Sequence, residues 1–175
     1  MQKVNSPFFF DEKKALEVVL FIANKCDNLY NLLKILYYAD KEHLDKYGRF
    51  ICGDNYVLLP HGPVPSKTYD IVKNVRDNRQ PQISGDLKSS FDVEGQYKLV
   101  VKRPPNLELL SKTDIECLDK AIEKYGDLSF EELKVLSHKE PDVIEVKDSF
   151  DENIYVDIMA KYFEDGDLLL EYLNC

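Results

Sequence analysis

Asn28 to Gly48, NLYNLLKILYYADKEHLDKYG, constrains the fold more than any other stretch of the chain. Leu29, Leu32, Leu33, Leu36 and Tyr37 recur at helical spacing, and Ile35, Tyr38 and Ala39 carry the apolar band most of the way round the first half. A helix that is apolar on nearly every side is buried on nearly every side, so the other elements must be arranged around it. From Asp40 onward, Lys41, Glu42, Asp45 and Lys46 leave only His43, Leu44 and Tyr47 to continue an apolar face. The pattern therefore predicts a helix that begins in the core and ends at the surface.

The flanking segments follow from caps and breakers. Asp11 caps a first helix through about Asp27, filled by Ala15, Leu16, Val18, Val19, Leu20, Ile22 and Ala23. Asp27 or Asn28 caps the second, and so short a connection predicts an antiparallel helical hairpin. Gly48 ends the second helix as a left-handed residue. Tyr56 to Leu59 reads as a strand, and His61-Gly62-Pro63-Val64-Pro65-Ser66 as a turn in which Gly and two prolines exclude regular pairing. A helix is expected from about Val64 to Asn78, then a polar, mobile run over 80 to 90. Phe91 to Val93 and Tyr97 to Val101 flank Glu94-Gly95-Gln96 as a hairpin. Ser111 with Asp114, and Ser129 with Glu132, carry the spacing of capping boxes. Pro141 is expected to break regularity, with further helices at about Asp151 to Phe163 and Asp167 to Leu173. The fold class is mainly α with an α+β character: a compact multi-helix domain around a buried central helix, with a small antiparallel hairpin or sheet. One domain spans 1 to 175, with 142 to 175 as a C-terminal helical extension.

Length and composition support a chain that folds without metal or disulfide, since 44% of its 175 residues are hydrophobic. Cys26, Cys52, Cys117 and Cys175 form no CxxC pair and read as reduced thiols of a cytoplasmic protein. Neither a signal peptide nor a membrane-spanning run is expected. The charge is unevenly placed. Residues 1 to 104 carry 16 Lys and Arg against 13 Asp and Glu, whereas 105 to 175 carry 7 against 19. An acidic C-terminal part disfavours phosphate binding and suits a basic protein partner.

Enzymatic signatures are missing from the sequence: there is no phosphate loop, nucleophile elbow, HExxH or Rossmann glycine series. Asp40 and His43 stand three apart on one helical face, with His61 or Asp54 able to approach from the following loop, but such a pair more often fixes a helix end than holds a metal. The expectation is no catalytic residue, no metal and no cofactor. A nucleic-acid-binding regulator is the alternative, with the helix from Val64 as recognition helix and Gln96 at the tip of a wing. Lys73, Arg76, Arg79, Lys98, Lys102 and Arg103 are its support.

Four segments, in order, carry a resemblance: LLKILYYADKEHLDKYGR, GDNYVLLPHGPVPSKTYDIV, LSKTDIECLDKAIEKYGDLSFEEL and LSHKEP. They resemble the SocA-like, or Panacea, antitoxin domain and its phage-associated members, over about residues 15 to 141. The chain departs from it after LSHKEP, where the family often has tryptophan and this chain has Asp142-Val143-Ile144. The resemblance implies a mostly helical, non-catalytic protein that neutralises a cognate toxin by direct binding; some relatives also act as adaptors delivering the toxin to a protease. The expected partner-binding residues are Tyr38, Asp40, His43, His61, Pro63 and Ser66, grouped on one exposed corner. Asp40→Ala and His43→Ala are accordingly expected to spare the fold.

Overall fold

The computed structural model describes residues 7–79 and 87–174. Helix α1 (Glu12–Ala23) and helix α2 (Leu29–Tyr47) form the expected antiparallel pair, with Asp11 and Asn28 accepting from the amides of their first turns. Helix α1 stops short of Asp27 because Asn24 turns its amide back onto the Leu20 carbonyl, 3.1 Å away. Gly48, at φ 72°, closes α2 in the left-handed conformation that glycine adopts without steric cost. Leu32, Ile35, Leu36, Tyr37 and Ala39 have no exposed surface, as the all-round apolar pattern requires.

Strands β1 (Tyr56–Leu59) and β2 (Gly62–Pro65) pair antiparallel, and β5 (Asn153–Ile154) adds to the other side of β1. The expected turn at His61 to Ser66 is thus an edge strand. Its register, Val57 opposite Val64 and Leu59 opposite Gly62, puts Pro63 and Pro65 at alternate positions. Ser66 continues the hydrogen-bonded phase by donating to the Asn55 carbonyl at 2.8 Å. Both prolines therefore fall where an N–H would point away from β1, and pairing loses nothing.

Helix α3 (Ser66–Arg76) follows directly, and a short helix α4 (Leu87–Ser90) leads into the hairpin β3 (Phe91–Glu94) and β4 (Lys98–Val101). Residues 80–86 of the expected polar run lie outside the described residues, but Leu87 at its end is buried. Helices α5 (Lys112–Tyr125) and α6 (Phe130–His138) start with the two expected capping boxes, both complete. Pro141 does not end a helix. It opens α7 (Pro141–Lys147), where its missing N–H costs no hydrogen bond. The long helix expected from Asp151 is divided into β5 and the short α8 (Val156–Ala160), followed by α9 (Gly166–Leu173). Helix α5 lies along α2, and Val143, Val146, Ile154, Val156 and Met159 join the same core from the C-terminal side. No helix among the described residues is long and apolar enough to cross a membrane. Cys26, Cys52 and Cys117 are free thiols, while Cys175 lies outside the described residues.

Candidate functional site

The turn between β1 and β2 is held by the first half of α2. Tyr30 donates its hydroxyl to the His61 carbonyl at 2.8 Å, and Lys34 donates its ammonium to the Pro63 carbonyl at 2.7 Å. Lys34 is 1% exposed and sits 4.9 Å from the Tyr30 ring. Gly62 has φ 109°, and a Cβ there would lie 2.6 Å from Ser137 Oγ and 3.0 Å from Lys34 Cε, so both backbone angle and space demand glycine. Phe130, at the start of α6, closes the corner with its ring 4.3 Å from Tyr30 and 5.2 Å from His61.

Burial lowers the Lys34 pKa to about 7. The unfolded chain, with an ordinary lysine near pH 10.4, then binds more protons than the folded chain between those values, so folding stability rises with pH across that window. Comparing wild type with Lys34→Met in denaturant titrations from pH 6 to 10 should show wild type gaining stability relative to the variant, with a limiting slope of about 1.4 kcal/mol per pH unit. A constant difference across the series would refute the assignment.

The six residues expected on one exposed corner occupy different environments. His61 is exposed and Ser66 half-buried, as a surface site requires. Tyr38 and Pro63 are buried; Tyr38 stacks on Tyr125 with centroids 4.0 Å apart and planes 12° apart. Asp40 is fully buried and accepts from the Ile51 N–H and the Tyr56 hydroxyl, both at 2.6 Å. His43 is fully buried too, donating Nδ1–H to the Arg49 carbonyl at 2.9 Å, with Nε2 at 3.0 Å from Thr113 Oγ1 and 3.2 Å from Asp114 Oδ1. The expectation that α2 surfaces at Asp40 is therefore corrected: α5 and the segment from Arg49 to Asp54 cover it, and its polar side chains find partners inside. Asp40 and His43 turn to separate partners rather than to a shared point.

Three further buried acids organise the scaffold. Asp114 accepts from the Ser111 N–H at 2.8 Å while pairing with Lys14 at 2.6 Å and Arg49 at 3.0 Å. Asp142 accepts from the Tyr37 hydroxyl at 2.6 Å and from Lys41 at 2.7 Å, fastening α7 to α2. Asp54 accepts from the amides of Lys67 and Thr68 and from the Thr68 hydroxyl, supplying the cap that Pro65 cannot give α3. Lys34, Asp54 and Asp142 escape a reading by periodicity, since each is a polar residue inside or beside an apolar run. The visible signal was the charge itself at a position the pattern buries.

Beside the Tyr30–His61–Phe130 corner lies an open cleft of about 770 Å³. Its walls are the α1–α2 connection, the tip of the β3–β4 hairpin at Tyr97, and the α5–α6 connection. Backbone hydrogen bonds from Leu29 to Tyr97 and from Leu99 to Asp27 lock the first two together at 2.7 Å each. Asn31 fixes the third by donating to the carbonyls of Gly126, at 3.1 Å, and Leu128, at 2.9 Å.

The cations that would serve a nucleic-acid reading are committed elsewhere. Lys73 pairs with Asp70, Arg76 and Arg79 with Asp77, Lys98 with Glu94, Lys102 with Asp92, and Arg103 with Glu17. Each lies beside a carboxylate that would repel phosphate, so they form no uncompensated basic stripe.

A mainly helical scaffold with a small proline-edged sheet, buried acid clusters and an aromatic surface corner is the class of protein these features define. Residues 32–142 match the sequence model of the SocA-like antitoxin, Panacea domain family, and the chain belongs to that family. No curated protein and no solved structure matches it.

Proposed function

We propose that this protein is an antitoxin that neutralises a cognate protein toxin in the cytoplasm by direct binding, without catalysis. Membership of the SocA-like antitoxin family carries the reading, and the family suggests both an antitoxin role and a toxin partner in general. The sequence supports it, since an acidic protein without a catalytic constellation is suited to mask a toxin with a basic working surface. His61 and Ser66 present the contact surface, with Phe130 extending it. Tyr30 and Lys34 hold the His61–Pro63 part of that surface from within, while Tyr38, Asp40 and His43 serve the core rather than the contact.

The test is co-expression with the toxin encoded beside it. Growth should be restored and the two proteins should co-purify in fixed stoichiometry. His61→Glu, at an exposed position, should leave the melting curve unchanged and weaken the complex about tenfold or more, the effect of losing about 1.4 kcal/mol of contact. Failure of the wild-type protein both to rescue growth and to form a complex would sink the proposal.

A further inference from the structure

We infer that the cleft between the α1–α2 connection and the α5–α6 connection receives an arginine side chain of the partner protein. The inference rests on the antitoxin reading and names the chemistry of its contact. Three rings face this region: Tyr30 and Phe130 at its α6 side, and Tyr97, 58% exposed, at its hairpin side. Phe130 is 39% exposed although its ring packs on Tyr30 and His61. Tyr30 is 9% exposed, with the Phe130 ring and the Lys34 ammonium against it, so the exposed rings of Tyr97 and Phe130 are the ones that offer a face on which a planar guanidinium stacks.

The charge of the cleft selects a cation. Asp27 and Asp127 line it, Glu131 stands next to Phe130, and all three are exposed. Both aspartates act on the neighbouring Cys26 thiol, which burial, and after it their charges, push above its ordinary pKa against a hydrogen bond with the Asn28 backbone. Glu131 likewise adds to the burial that raises the Tyr30 hydroxyl to about 12. Thus carboxylates from two chain connections converge on one opening. Lys25, the cation in the lining, is turned to Asp119 at 2.5 Å, and among the described residues no cation pairs with these acids. The acids beside Lys73, Arg76, Lys98 and Lys102, by contrast, are paired.

Arginine fits better than lysine because it stacks on a ring while its edge donates to two carboxylates at once. A volume of about 770 Å³ admits the side chain together with the loop that carries it. Asn31 and the Leu29–Tyr97 hydrogen bond hold the walls before any partner arrives, so binding requires little ordering.

The experiment has two arms. In the first, the isolated protein is titrated with a short arginine-containing peptide and with its citrulline counterpart, which keeps shape but loses charge, while the ring resonances of Tyr30, Tyr97 and Phe130 are followed by NMR. Saturable shifts with arginine that vanish with citrulline, and in Asp27→Asn/Asp127→Asn, are expected. Equal responses to the two peptides, or none, overturn the inference. In the second, the complex with the neighbouring toxin is measured for wild type, Asp27→Asn/Asp127→Asn and Phe130→Ala at low and high salt. The expected result is a loss of tenfold or more in affinity, with a shallower salt dependence for the aspartate variant. Tight, neutralising binding that the variants leave unchanged refutes the cleft as the contact and leaves the antitoxin reading intact. Arginine-peptide binding without any toxin complex retains the cleft and refutes the antitoxin reading.

Discussion

Asp114→Ala should destabilise the fold by about 3–5 kcal/mol, the range for removing one partner of a buried ionic cluster. The carboxylate has no exposed surface and meets Lys14 of α1, His43 of α2, Arg49 beyond α2, and the Ser111 N–H that opens α5. Its loss strands Lys14, which is only 14% exposed, and opens one half of the capping box. A chain of this length has roughly 5–15 kcal/mol of stability in all, and its Tm moves by about 2–4 °C per kcal/mol, so a fall of about 10 °C is expected in calorimetry. Asp114→Asn, which keeps an oxygen for the Ser111 amide, should lose less. Burial pushes the Asp114 carboxyl upward, but hydrogen bonds from His43, Lys14 and the Ser111 amide outweigh that and hold it well below the usual carboxylate range. A depressed folded pKa means stability that is present above the unfolded value near pH 4 and lost as pH falls below it. Wild type should therefore lose its advantage over Asp114→Ala on acidification below pH 4. An advantage unchanged down to pH 2 would refute the cluster's ionic character.

Asp40→Ala is expected to cost about 2–6 kcal/mol, since it leaves the buried Ile51 N–H and Tyr56 hydroxyl without an acceptor at about 1–3 kcal/mol each. Here the pH dependence runs the other way. Burial raises the Asp40 carboxyl to about 7 against the hydrogen bonds from Tyr56 and Ile51, which favour its charged form. A raised folded pKa gives a contribution that is full below the unfolded value near 4 and lost as pH rises through 7. Asp40→Asn keeps an acceptor and removes the titration, so wild type should lose stability relative to it between pH 4 and 7. If Asp40→Ala melts like wild type at pH 5, the buried network does not hold the α2–β1 junction.

The axis of the fold was legible because apolar residues on all sides of Leu29 to Ala39 admit one environment. Both capping boxes and the β3–β4 hairpin were legible for a similar reason: each is local chemistry, decided within a few residues. What failed was tertiary. Asp40 and His43 are polar and sit where the helix pattern thins, and nothing within α2 reveals that Tyr56 and Thr113 will come to meet them. Pro63 and Pro65 read as a turn because the sequence does not display strand edges; only the register shows their nitrogens facing outward. Phe130 and Tyr97 read as ordinary members of their elements, and their place on a shared cleft depends on three connections meeting in space.

The outward-facing prolines of β2 have a bearing on how any partner is recognised. An open sheet edge usually invites an extended peptide to add a strand through backbone hydrogen bonds, which depend little on the guest's sequence. Here the β2 edge is buried, lacks two of the donors an added strand would need, and has its Pro63 carbonyl taken by Lys34, while the opposite edge, β5, is two residues long. Strand addition to this sheet is thereby disfavoured, and selectivity at this face falls to side chains.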